Sequence, residues 1–531
     1  MRYILSILLI PFILIYSQDD KSNNPIIELP DFVITGQEEV SIIRTDKIKP
    51  DFVSTITESF IKPYHSPEEL GLRQLSNPIK KELNLLDSTK YLNGSLNVAG
   101  GIYIIPDADL SYHYPFNNGL LNAKVGGLYQ RPYVENSGRS LFYGGAGIEY
   151  TIGIENNGLS GTNFSLNGDY ESLNYKLFAS DNPETKRTKN VGNYSFGIRN
   201  TAGKTFIIDL GVKDYLSSLT EDNFNENLLS ASGFARLQLS DIGLGLKTNY
   251  QKQFYNTDSL GSTSFNYLFL RPTVSFEVFN SVKAEVGYSI NNKNGETFND
   301  IYAAFGLKLS DNIVLMGEFA PQAEFVTSGT LLRKNDYFNA PGFENLLFRK
   351  ANYFNAVVKY EFETYYQIDA GFRKYKSGNY PYFTDSELSG QFDIATADAE
   401  EFNGFLNLQF HSGPYGVFYF NFEYFNIKDK SGNRLPYNPK FTSNFTYGYE
   451  IGKNWLAEIL IYYYSDRYTD IENTNKLSSF FNLGAKLFYK IHDSFLLKLE
   501  LTNLLNRDIY YWNNYQEKPF DLLFGFNLLF D

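Results

Sequence analysis

The side chains suited to chemistry are few and scattered. His65, His113, His411 and His492 are the four histidines, and none stands at metal-ligand spacing from another. There is no cysteine, which removes disulfides, thiolate metal sites and a lipid anchor on an N-terminal cysteine. No Ser or Asp is set by spacing against a histidine, and neither a metal signature nor a glycine-rich phosphate loop occurs. The chain therefore reads as a non-enzyme, with no catalytic residue, cofactor or metal ligand assigned. What remains is recognition. Arg333, Lys334, Tyr337, Phe338 and Phe343 crowd one expected loop, 328–349. Asp385, Glu387, Asp393 and Asp398 lie in or at the end of a second, 379–398, with Glu400 and Glu401 just beyond. Carboxylates are the ligands that Ca²⁺ takes, although a solvated acidic loop is the simpler reading of such a run. These two loops are the expected places of ligand contact. A net charge of -13 disfavours nucleic acid, since no basic field attracts phosphate.

The elements that must carry these loops are strands. Tyr (42) and Phe (46) raise the aromatic content to 17%, yet the mean hydropathy is -0.31. That combination suits strands with one face in lipid and the other in water. Val282, Ala284, Val286, Tyr288 and Ile290 alternate with Lys283, Glu285, Gly287, Ser289 and Asn291. Phe206, Ile208, Leu210 and Val212 alternate with Asp209, Gly211 and Lys213 in the same way. Phe418, Phe420, Phe422 and Tyr424 stand against Tyr419, Asn421 and Glu423. Charge is confined to one face, as expected if a Lys or Glu facing lipid costs about 2–4 kcal/mol at mid-membrane. The last strand sets Leu522, Phe524, Phe526, Leu528 and Phe530 against Leu523, Gly525, Asn527 and Leu529. From about residue 91 this period-two pattern continues to the end, with room for about 22 strands. The predicted fold is all-β: a transmembrane antiparallel up-and-down β-barrel.

Residues 1–17 read as a secretory signal peptide: Arg2, an apolar run Ile4–Tyr16, and Ser17-Gln18 at the cleavage point. Residues 18–90 form a charged, Pro-punctuated periplasmic N-terminal tail, or a partial lumen filler, holding an apolar island Leu29–Gly36. Residues 91–531 are the barrel. No later run approaches 18 apolar residues; the richest, Trp455–Tyr464, contains Glu458. Tight turns such as Ser240-Asp241-Ile242-Gly243 and Gly452-Lys453-Asn454 alternate with long connections such as 429–438, 467–476 and 505–519. This asymmetry predicts a periplasmic rim of turns and an outer rim of loops, with both barrel ends on the turn side. Trp455 reads as part of the inner aromatic girdle. Tyr510, Tyr511 and Trp512 read as membrane anchors beyond the outer one.

Thr502-Asn503-Leu504-Leu505-Asn506-Arg507-Asp508-Ile509-Tyr510, a polar-aromatic loop and a terminal aromatic strand resemble the C-terminal end of TonB-dependent outer-membrane receptors. The resemblance covers about 91–531 and implies a 22-stranded, porin-like barrel in the outer membrane that takes up solutes. It also implies, as partners, outer-membrane lipids and the barrel-insertion machinery, which reads a terminal aromatic; here Phe530 is penultimate. Asp31, Phe32, Val33, Ile34, Thr35 and Gly36 resemble the box by which such receptors pair strand to strand with an energising periplasmic protein. The family's globular plug has no counterpart of sufficient length in 18–90. A separate plug-bearing component, or a plugless barrel serving as a ligand-binding or surface-assembly scaffold, follows as the alternative.

Overall fold

The computed structural model describes residues 93–530 apart from 154–159, 201–204, 259–260, 279–280, 311, 363–365 and 412–415. The signal peptide, the tail and the box Asp31–Gly36 lie outside the described residues. One antiparallel sheet of 23 strands runs from Gly94 to Phe530. One of these, Gln322–Thr327, continues Ile313–Phe319, and both pair with Asn345–Phe362. The wall is therefore a closed barrel of 22 strands. Each remaining strand pairs with its neighbours in chain order.

The two faces follow the alternation. Val286 and Tyr288 are exposed on the outside, while Lys283, Glu285, Ser289 and Asn291 are buried inside. Phe206, Leu210 and Val212 are likewise exposed, on the opposite face from the buried Ile207. Ile301, 62% exposed, and Phe524, 56% exposed, are apolar side chains that only a lipid surround accommodates. Trp455 lies 4.3 Å from the Tyr489 ring beside the turn Gly452–Asn454, at the rim where the inner girdle is expected.

Closure depends on the ends of the chain. Gly94–Gly101 pairs with Asp521–Phe530 over eight residue pairs, from Gly94↔Phe530 to Gly101↔Leu523. A Cβ on Gly94 would sit 2.3 Å from the Phe530 ring, so this glycine makes room for the penultimate aromatic. The motif that precedes the last loop also has a physical role. Asn503 (φ 47°) and Asn506 (φ 47°) take the left-handed backbone that asparagine tolerates. Asn503 accepts from the Arg507 N–H (3.0 Å) and donates to the Arg507 carbonyl (2.8 Å), and Asn506 accepts from the Phe520 N–H (3.0 Å). The two side chains thus tie both ends of the loop together.

The sharpest departure from a regular wall is at Ala320-Pro321. Pro321 has no N–H for the ladder. Opposite it the register slips between Ala351 and Phe354, with Asn352 at φ 50°. The hairpin beyond the break, Gln322–Thr327 with Asn345–Lys350, carries the short helix Ser328–Leu332 and the turn Ala340–Gly342.

For the lipid-facing wall we expect Val286→Arg to cost about 2–4 kcal/mol of folding free energy in bilayers. Asp209→Asn, on the inner face, should shift it by less than about 1 kcal/mol. Urea titration in vesicles distinguishes them, and equal costs at both positions would reverse the assigned faces.

Candidate functional site

The expected surface loop 328–349 is an interior element, which corrects the sequence reading. Leu332, Phe338 and Ala340 are fully buried, as are Thr327 and Ser328. They centre an apolar cluster that reaches Leu219, Phe224 and Tyr255 on one side and Tyr375, Tyr380 and Leu435 on another. The loop therefore crosses the lumen at the long-loop end.

Polar side chains on the inner wall hold it there. The Arg187 guanidinium, 1% exposed, forms an ion pair with Asp222 (2.8 Å) and donates to the Phe338 carbonyl (3.1 Å) and Gln391 (2.8 Å). Lys189 Nζ meets Asp336 at 2.5 Å, and the Tyr175 hydroxyl donates to the Asp336 carbonyl. The Tyr255 hydroxyl bonds the carbonyls of Ala340 and Pro341, both at 3.1 Å. Gln253 donates to the Glu344 carbonyl (3.0 Å), and Glu226 accepts from the Gly329 N–H (3.2 Å). A loop inside a barrel has backbone groups cut off from water, and these contacts satisfy them. Sequence reasoning missed Arg187, Lys189, Glu226, Gln253 and Tyr255. Their signal was present: each is an inward position near a strand's outer end, but nothing local named its distant partner.

The five residues singled out on this loop have separate roles. Arg333 lies 3.9 Å over the Tyr215 ring, and Tyr337 stacks on Tyr515 with centroids 3.4 Å apart. Phe338 sits edge-on to Phe343 and Phe383. Lys334 lines a cavity, where partial desolvation by the surrounding side chains lowers its ammonium below the ordinary lysine value.

The second expected loop, 379–398, is largely strand. Tyr366–Asp385 and Phe392–His411 continue upward as a hairpin, leaving 386–391 as the connection. The carboxylates on it do not converge. Asp385 accepts from Tyr437 and Asn513, Asp393 from Asn339, and Glu401 from Tyr375 and Tyr380. Asp398 pairs with Lys430 and Glu400 with Lys374. Among the described residues no group of three acidic or histidine side chains is placed to hold a metal ion. Trp512 is a second correction. It packs among Phe383, Phe392 and Tyr437 at 4.9–5.1 Å instead of facing lipid. Tyr437 is thereby half-buried beside Asp385, and desolvation together with that carboxylate raises its phenol above the ordinary tyrosine value.

Between the inserted loop and the wall lies a cavity of about 630 Å³. Glu401, Asn421, Glu423, Asn444 and Tyr464 of the wall line it, with Lys334, Tyr437 and Tyr511 from the loops. No family model and no curated protein matches this sequence. Solved structures do. A mutant of the ferric enterobactin receptor of Pseudomonas aeruginosa superposes with a TM-score of 0.60 at 10% identity, over 82% of this chain and 80% of that one. The chain has the fold of that receptor. The siderophore receptor PiuA from Acinetobacter baumannii gives 0.59 at 12% identity, over 83% and 82% of the two chains. The FrpB iron transporter from Neisseria meningitidis gives 0.62 at 10%, over 84% and 82%. This receptor-type barrel is the architecture expected from the Asn503–Tyr510 motif and the strand count.

Arg187→Ala should free the inserted loop. Leaving the Phe338 carbonyl and Gln391 without their donor costs about 1–3 kcal/mol. Amide exchange at Asn339 and Gly342, read by mass spectrometry, should then quicken by about tenfold or more. Arg199→Ala, at an exposed pair, serves as the control; equal exchange in both variants would remove Arg187 as the anchor.

Proposed function

We propose that this protein is an outer-membrane uptake barrel that admits a solute from the long-loop side, with its lumen closed by its own loop 328–344. The observation that carries the reading is that loop, seated across the interior on ion pairs and hydrogen bonds. A 22-stranded barrel is wide enough to leave a lumen that something must fill. The likeness to proteins named as siderophore receptors and an iron transporter supports uptake as the class of activity. Those names describe receptors and transporters, in keeping with a non-enzyme.

The signal peptide 1–17 would send the chain to the periplasm, with 91–531 as the barrel in the outer membrane. In the same reading, Asp31, Phe32, Val33, Ile34, Thr35 and Gly36 add a strand to an energising TonB-like protein, or a separate plug-bearing component acts beside the barrel. The alternative, a ligand-binding or surface-assembly scaffold, draws on the cluster round Trp512, which joins three loops into one fixed surface.

Thr327 and Asn345 are paired neighbours, so a four-residue Gly-Ser linker can replace 328–344. In planar bilayers the full chain should carry little current, and the loop-replaced variant should conduct at least tenfold more. Equal currents would show that the loop is not the barrier and favour the scaffold. Deleting Asp31–Gly36 should abolish co-purification with the energising protein; unchanged co-purification would dismiss the box.

A further inference from the structure

We infer that the outside of the wall binds the phosphate groups of an outer-leaflet lipid through Lys374, Lys376, Lys428 and Lys430. The inference rests on the barrel standing in the outer membrane with its long loops outward. It holds whether or not a solute passes through the lumen.

The pleat places these lysines. Along Tyr366–Asp385 the lipid-facing positions are Tyr366, Ile368, Ala370 and Phe372, and the same face continues with Lys374 and Lys376. Along Val417–Asp429 they are Phe418, Phe420, Phe422 and Tyr424, and the face continues through Asn426 to Lys428. Lys376 stands ten residues beyond Tyr366, and Lys428 ten beyond Phe418. A tilted strand crosses the hydrocarbon in about 9–11 residues, so both reach the level of the headgroups. Register gathers them: Glu400, on the strand between, lies opposite Lys376 on one side and Lys428 on the other. Just below runs a belt of rings. Phe354, Phe372 and Phe402 succeed one another at 5.8 and 5.9 Å, and Tyr424 follows at 6.4 Å. Such a belt marks the boundary between acyl chains and headgroups. Gly404 stands between Phe372 and Tyr424 in the register, and a Cβ there would meet nothing nearer than the Phe402 ring at 3.7 Å. That recess in the belt suits the upper part of an acyl chain.

The charge selects an anion. All four lysines are exposed. Glu400 pairs with Lys374 (2.6 Å) and, at 3.7 Å, with Lys376, while Asp398 pairs with Lys430. Four ammoniums against two carboxylates leave an excess of two positive charges, on a chain whose net charge is -13. Another arc of the wall differs at the same count from its short turns. It carries the neutral Asn266, Asn292 and Asn299, with Lys252 alone among them. The excess repels a cation, and a neutral headgroup would leave it uncompensated. Phosphate is the anion that lipid headgroups carry at this depth, and lysine meets it as a point charge.

The test uses native mass spectrometry of the purified full chain in detergent. The probes are bis-phosphorylated lipid A, the same lipid with both phosphates removed, inorganic phosphate and a poly-glutamate peptide. The variants are the fourfold Lys374→Gln, Lys376→Gln, Lys428→Gln, Lys430→Gln chain, the single Glu400→Gln, and Lys252→Gln as control. Heat-modifiable gel migration checks that each is a folded barrel. Retention of the phosphorylated lipid should fall at least tenfold in the fourfold variant, rise in Glu400→Gln and stay unchanged in Lys252→Gln. Equal retention of the dephosphorylated lipid, equal loss in Lys252→Gln, or a fourfold variant that binds like the parent would overturn the site. Inorganic phosphate or poly-glutamate displacing the lipid at equal concentration would reduce it to a surface for soluble anions and overturn it as well.

Discussion

A backbone N–H or C=O in hydrocarbon finds no water, so each must bond to another strand. That requirement is met here by a seam between the first and last strands, Gly94–Gly101 against Asp521–Phe530. Much else follows from this closure. The last strand must end in a side chain that fits against the first, and the absence of a Cβ at Gly94 lets the Phe530 ring lie there. The loop before it must return the chain to the correct register, which the two left-handed asparagines accomplish. Closure also creates an interior.

The interior is divided by what the inner faces carry. Toward the long-loop end, aromatic and aliphatic side chains on the wall meet the inserted loop and form a core of the kind found in soluble domains. Deeper positions carry charges that neutralise one another, as Arg236 and Glu285 do at 2.6 Å. Such a buried pair adds little net stability by itself, but removing one partner strands the other. The inserted loop begins where Pro321 and the bulge at Asn352 break the ladder together. A local fault in the sheet thus aims a whole segment inward.

Much of the fold was legible before any coordinates. Lys283, Glu285, Ser289 and Asn291 fall inside and Val286 and Tyr288 outside because the period of a strand is two, and a single slip would reverse every face. The loops were not legible in this way. Arg333, Lys334, Tyr337, Phe338 and Phe343 look the same in sequence whether a loop rises into water or folds into a lumen. The deciding partners, Arg187, Lys189, Gln253 and Tyr255, stand 85 to 151 residues away in other strands, too far for any local pattern to link. Trp512 was misread for the same reason. An aromatic beyond a strand end suits a membrane interface equally well as a packed loop cluster, until Phe383, Phe392 and Tyr437 are seen beside it.

The amino-acid sequence alone determined the membrane-spanning class, the number of strands, which face of each meets lipid and which rim bears the loops. These depend on side-chain period and turn length, properties of neighbours along the chain. Only the tertiary structure decided that loop 328–344 packs against the inner wall, that the acidic run from Asp385 to Glu401 is dispersed among separate partners, and that Lys334, Glu423 and Asn444 share a cavity. Those facts arise when strands far apart in sequence are curved round to face one another, and barrel closure alone brings them within reach.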